Sequence, residues 1–216
     1  MPRRIPTASA FADYVFRRTT GSSPAVGHSE EAQYAKLTGR VTESNMRQYR
    51  AIAAQGRFAP NDPVRRWELI HEGLADDSEK TVFECRFLTI NESPLRCSPD
   101  LVLQSADERK HKIILIVERK VRTGSLEYPA VPDGAWPNVR AQLWCYSWIS
   151  DWDWYRDSNV LLLVEYYWRP YPEQGDAVYM GCRGFWKRSD YDFNVEARRN
   201  FESYGGAIDP RTQMPA

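Results

Sequence analysis

The chain has 216 residues, 42% of them hydrophobic, and its 29 Lys and Arg balance 29 Asp and Glu. That length and apolar content suffice for one globular domain with a sizeable core, and the sequence contains no apolar run of about eighteen residues that could span a membrane. The opening Met1-Pro-Arg-Arg-Ile-Pro6 lacks the apolar region of a secretory signal, so a cytoplasmic location is expected. Cys85, Cys97, Cys145 and Cys182 include no C-x-x-C pair, which argues against a zinc ribbon or a compact disulfide framework and for reduced core thiols.

Residues 1–28, rich in Pro, Ser, Thr, Gly and Arg and without clear periodicity, read as a partly disordered arm, leaving 29–216 as a single domain. Ser29 and Thr42 suit N-caps of short helices that stop near Gly39 and Gly56. Asp62-Pro63 supplies an N-cap and a first-position proline, and Gly73 a stop, so a helix is expected over 64–72. Val64, Trp67, Ile70, His71 and Leu74 would form its apolar stripe, with Glu68 on the flank and Glu72 facing water. A strand over 81–90 follows, then a second over 96–103.

Ile113 to Val117 is a run of apolar residues that suits a strand buried on both faces and is too short for a buried helix. The polar stretch 104–112 joins it to the preceding strand as a hairpin. Charge arrives abruptly at its end, in Glu118-Arg119-Lys120. Alternation sends Glu118 and Lys120 to one side of the sheet and Arg119 to the other, while the hairpin carries Asp100 towards Glu118. Two converging carboxylates repel each other unless a cation lies between them. Oxygen ligands without a nearby Cys or His pair favour Mg²⁺ or Mn²⁺ over zinc. Such an ion can polarise a phosphodiester and its water while Lys120 activates or orients the attacking water or neutralises the charge of the transition state. The plainer alternative is that Glu118 and Lys120 form the solvated end of a core strand and pair at little energetic value.

The loop 124–137, with two Gly and three Pro, lies just beyond that strand, where it can border a substrate groove. In the helix expected from Asn138, Val139, Leu143 and Tyr146 recur at helical spacing, with Gln142 at the border of the stripe. A buried strand over 159–168, a further strand over 176–186 and an Arg-rich helix around 195–204 complete the pattern.

Pro99-Asp100, Glu118-Arg119-Lys120 and Gln142-x-x-x-Tyr146 together resemble the PD-(D/E)XK nuclease superfamily. The segment 138–146 resembles the Gln-x-x-x-Tyr helix of its RecB-like and lambda-exonuclease-like branch. The resemblance covers about the middle third of the chain, from Thr81 to Ile149. It implies a restriction-endonuclease-like α/β core, with a mixed central β-sheet flanked by helices, and a magnesium-dependent hydrolase acting on DNA. Asp100 and Glu118 would be metal ligands and Lys120 the catalytic lysine. Gln142 and Tyr146 would donate to a phosphate or terminal nucleotide; the alternative is that Tyr146 is a core residue whose hydroxyl reaches Gln142. A helix before the sheet supplies a His ligand in this branch and a Glu in others, which nominates His71 and Glu68, although the glycine usual before that His is absent. Glu84 is a further candidate. Some RecB-like members carry an iron–sulfur cluster on one upstream and three downstream cysteines; here only Cys182 lies downstream, so no cluster is expected.

Zero net charge confines DNA binding to local basic groups such as Arg17-Arg18, Arg65-Arg66 and Arg198-Arg199, with salt-dependent affinity for single strands or free ends, or help from a partner protein. The chain is rich in aromatics, with 8 Trp and 12 Tyr. Exposed, they could stack single-stranded bases at about 1–3 kcal/mol each or anchor a protein partner. Packing of Trp144 and Trp148 under the C-terminal segment is the simpler expectation. The alternatives to a deoxyribonuclease are a catalytically inactive nuclease-fold module for binding or assembly, and a nuclease toxin domain.

Overall fold

The apolar run that starts at Ile113 leads into β5 (Ile114–Gly124), the middle strand of a five-stranded sheet. In a computed structural model of the chain, the described residues are 5–20, 67–73, 81–105, 112–124, 135–170 and 178–210. On one side of β5 lie β4 (Leu101–Ser105) and then β1 (Trp67–Glu72), and on the other β6 (Val160–Pro170) and then β7 (Val178–Lys187). The expected hairpin is present: β4 runs antiparallel to β5, with Leu101 opposite Val117 and Gln104 opposite Ile114. β6 runs parallel to β5. Parallel neighbours need a crossover, and α2 (Pro137–Ser147) lies on it. β1 and β7 are antiparallel to their neighbours, so the sheet is mixed and the fold α/β.

Alternation sorts the two faces. Ile114 and Ile116, with Val102, Leu162, Val164 and Tyr166, join the main core under α2. Leu101, Leu103 and Val117, with half-buried Leu115 and Leu163, form a smaller cluster on the reverse face. α1 (Ala8–Thr20) contributes Phe11 and Val15 to the main core, and α3 (Tyr191–Ser203) contributes Phe193, Ala197 and Phe201. β2 (Phe83–Ile90), β3 (Ser93–Cys97) and β8 (Gly206–Ile208) make a second, three-stranded sheet in the order β3-β2-β8.

A buried cation ties the irregular link 148–159 to the end of β7. Arg188 is 2% exposed. Its guanidinium donates to Asp157 Oδ1 at 2.7 Å, to the Ser147 carbonyl at 3.1 Å and to the Tyr155 carbonyl, and it stands 5.0 Å from the centre of the Trp148 ring. Trp144 packs on Phe201 and Phe11, and its indole N–H donates to Asn194 Oδ1 at 3.0 Å. Trp144 thus lies beneath the C-terminal segment, as expected, while Trp148 meets Arg188 and Phe87 of β2.

Four expectations about the fold are corrected. Residues 8–20, read as part of a partly disordered arm without clear periodicity, form α1, because Phe11 is a complete apolar anchor: it is fully buried among Trp144, Phe201 and Tyr204. Residues 67–72, expected as helix, form β1, and the proposed cap at Asp62-Pro63 lies outside the described residues. Trp-Glu-Leu-Ile-His-Glu fits either period, and the open backbone edge of β4 decides between them. Gly73, expected as a helix stop, instead permits a close chain approach: its N–H donates to the Asp100 carbonyl at 2.8 Å, and a Cβ there would meet the Pro99 carbonyl oxygen at 3.1 Å. The single strand expected over 96–103 is broken at 98–100, so Arg96 and Cys97 belong to the smaller sheet and Leu101 to the larger. The short helices suggested after Ser29 and Thr42, and the loop interior 125–134, lie outside the described residues.

Cys85, Cys97 and Cys145 are buried free thiols. Burial pushes the Cys85 thiol from an ordinary 9.0 up to about 12. Its proton goes to the Trp148 carbonyl at 2.8 Å. A thiol held neutral in the fold but ionised in the unfolded chain stabilises the fold fully below pH 9, and that contribution is lost as pH rises towards 12. Thermal unfolding midpoints should therefore fall across that alkaline window, and Cys85→Ala should flatten the decline. Phe11→Ala should lower stability by about 3–5 kcal/mol in urea unfolding; a loss under about 1 kcal/mol would place α1 outside the cooperative unit.

Candidate functional site

The site is assembled at the end of the β4–β5 hairpin. Leu101 faces Val117, so the next residues along these antiparallel strands are Asp100 and Glu118. Glu118 and Lys120 project to the α2 side, as alternation requires, and Glu118 is only 2% exposed. The Lys120 ammonium donates to Glu118 Oε1 and keeps 31% of its side chain accessible. Burial by itself would lower the Lys120 pKa, but the Glu118 and Asp100 carboxylates outweigh it and hold the pKa above its ordinary value. Beside these two carboxylates the Lys120 side chain is favoured as the charged ammonium.

Asp100 is anchored through its backbone and its side chain. Its Oδ2 accepts the Arg119 N–H at 2.7 Å, and its carbonyl accepts the Gly73 N–H. The neighbouring Pro99 is buried.

From Lys120 a chain of hydrogen bonds runs through α2. Lys120 Nζ donates to Gln142 Oε1 at 3.3 Å, Gln142 Nε2 to the Tyr146 hydroxyl at 2.5 Å, and that hydroxyl to the Ser98 carbonyl at 3.0 Å. Ser98 lies two residues before Asp100, so the chain closes on the turn that carries the first carboxylate. One helical turn separates Gln142 from Tyr146, which lets the amide reach the phenol. Tyr146 is 1% exposed; burial, with the Glu118 and Asp100 charges, raises its pKa well above the ordinary value, so it remains a neutral donor. Both residues thus engage inside the protein. Tyr166 faces the same side, in register with Lys120 on the neighbouring strand, and is buried.

The other nominated ligands stand differently. His71 is half-buried opposite Val102, on the α2 side, with its ring edge-to-face with Phe83 at 5.1 Å. Glu68 is exposed opposite Gln104, four residues along β4 from Asp100 and so about 13 Å away at a strand's rise per residue. Glu84 is exposed on the smaller sheet, paired with Arg96. The strand conformation of 67–72 removes the helix that would have offered Glu68 and His71 together. Glu72, expected to face water, lies 3.6 Å from Arg119 with 12% of its side chain exposed. Among the described residues, no group of three or more His, Cys, Asp or Glu side chains is arranged to hold a metal ion.

Sequence reasoning passed over the Ser98 carbonyl, Tyr166 and Glu165. Glu165 carried a signal: a lone carboxylate inside a buried strand requires a cationic partner, and parallel register supplies Arg119.

The fold and site define a mixed-sheet α/β protein with two carboxylates and a lysine gathered at one strand end. No protein-family model matches the chain, and none of the curated proteins or solved structures compared with it does.

Tyr146→Phe removes one hydroxyl and leaves both the Gln142 amide and the Ser98 carbonyl short of a partner, so it should cost about 1–3 kcal/mol in denaturant unfolding. No loss would show that the hydroxyl contributes nothing to the turn.

Proposed function

We propose that the chain is a Mg²⁺- or Mn²⁺-dependent nuclease that hydrolyses DNA phosphodiester bonds within a restriction-endonuclease-like core. The observation that carries this reading is the convergence of Asp100 and Glu118 on the protonated Lys120 at the end of the hairpin. Two carboxylates with water suit a hard divalent cation. Asp100 and Glu118 would hold that ion, which when bound supplies Lewis acidity to the phosphate and lowers the pKa of its water. Lys120 sets its positive charge where the pentavalent phosphorus accumulates negative charge, and Gln142 restrains the ammonium from the α2 side. Buried Tyr146 and Tyr166 limit water behind the reacting face, which strengthens each electrostatic contact there. Arg199 on α3 and Arg17 on α1 are exposed cations that a phosphate backbone could meet.

A second reading, a nuclease fold kept for binding, draws on the Glu118–Lys120 ion pair, in which one carboxylate is already neutralised by the chain itself. Exposed aromatics such as Trp154 and Tyr191 would serve it as partner anchors.

The test is cleavage of linear and circular, single- and double-stranded DNA in Mg²⁺, Mn²⁺ or EDTA. Metal-dependent cutting is expected, and Lys120→Ala should lower its rate by about a hundredfold or more while the fold persists. Equal cutting by the variant would remove Lys120 from the chemistry. No cutting by the intact chain, with DNA retained in EDTA, would decide for the binding module.

A further inference from the structure

Arg119 points away from the candidate metal face, and the reverse face of the sheet closes around it. Its Nη1 lies 3.6 Å from Glu72 Oε1 on β1, and its Nε lies 3.5 Å from Glu165 Oε2 on β6. The guanidinium side chain is 3% exposed and the two carboxylate side chains 12% and 9%. The Tyr167 hydroxyl donates to Glu165 Oε2 at 3.1 Å, fixing that carboxylate in turn.

Glu165 is the register neighbour of Arg119, but Glu72 lies two strands away, with β4 between. The arginine therefore braces β6 to β1 across the point where the chain enters β4, and the residue at that point is Asp100. The same peptide that carries this brace donates its N–H to Asp100 Oδ2 at 2.7 Å. Gly73, the residue after Glu72, donates to the Asp100 carbonyl at 2.8 Å. Both of these backbone donors to Asp100 thus come from a brace residue or its immediate neighbour.

We propose that Arg119 is a positioning residue for Asp100: clamped by Glu72 and Glu165 on the reverse face, it fixes the backbone N–H that orients the Asp100 carboxylate towards Glu118. The consequence for metal binding rests on the nuclease reading, whereas the clamp itself is measurable without metal. Second-layer groups of this kind orient a ligand without touching the ion. A side chain on the far face also cannot contact a substrate bound on the near one.

The experiment uses the full chain as wild type, Arg119→Met and Asp100→Asn, with amide hydrogen exchange in EDTA and Mn²⁺ titration followed by electron paramagnetic resonance. In Arg119→Met, exchange at residue 119 should quicken by about tenfold or more while the Ile116 amide in the same strand is unchanged. Mn²⁺ affinity should fall about tenfold to a hundredfold. Unchanged exchange at residue 119 overturns the proposal, as does a uniform rise along β5, the mark of an arginine that only stabilises the fold. Should Arg119→Met not fold, Glu165→Gln is the milder probe: it keeps the side-chain shape, leaves Glu72 against the guanidinium, and is judged by the same readouts. Wild type that fails to bind Mn²⁺, or an Asp100→Asn affinity equal to wild type, removes the metal reading alone, and exchange at residue 119 then decides the clamp.

Discussion

Three consecutive charged side chains enter the interior at the end of β5, and much of the surrounding architecture follows from partnering them. Removing a charge from water costs several kcal/mol, so each of Glu118, Arg119 and Lys120 requires an opposite charge or a hydrogen bond in place of its hydration. The pleat allows no single solution for all three, because it divides them between faces. On the α2 side Glu118 meets Lys120, with Asp100 beside them; on the reverse side Arg119 meets Glu72 and Glu165. Elements from distant parts of the sequence are drawn to one strand end by this requirement.

The arrangement gives the two faces different tasks. The reverse face is closed, with its charges drier than Lys120, and behaves as a brace. The α2 face keeps the Lys120 side chain partly accessible. Both faces act on Asp100: the Arg119 peptide holds its carboxylate, and the chain from Lys120 through Gln142 and Tyr146 ends at Ser98, just before it. Interior hydrogen bonds of this kind are strong because little water competes, and for the same reason each broken link is costly.

How far the amino-acid order by itself revealed this differs between elements. β5, β6 and α2 were legible because long apolar runs and helical spacing leave few alternatives. The hairpin and the face shared by Glu118 and Lys120 followed from the two-residue period, which local geometry enforces. Residues 67–72 were misread because their pattern satisfies both periods, and the choice was made by the open edge of β4, which begins at Leu101, well beyond any local window. α1 was missed because a short amphipathic segment gains its stability from the Trp144–Phe201 surface, which no local pattern announces.

For the candidate site, the sequence alone determined which residue types stand at the strand end and on which side each lies, since alternation is a property of the backbone. Only the tertiary structure decided their partners. Parallel register set Glu165 beside Arg119, the edge strand brought Glu72 to the same guanidinium, and the packing of α2 turned Gln142 and Tyr146 inward to Ser98. The Lys120–Gln142 and Tyr146–Ser98 links join residues 22 and 48 positions apart, and bringing such residues together depends on loop closure and packing across the whole core, which no local window of sequence contains.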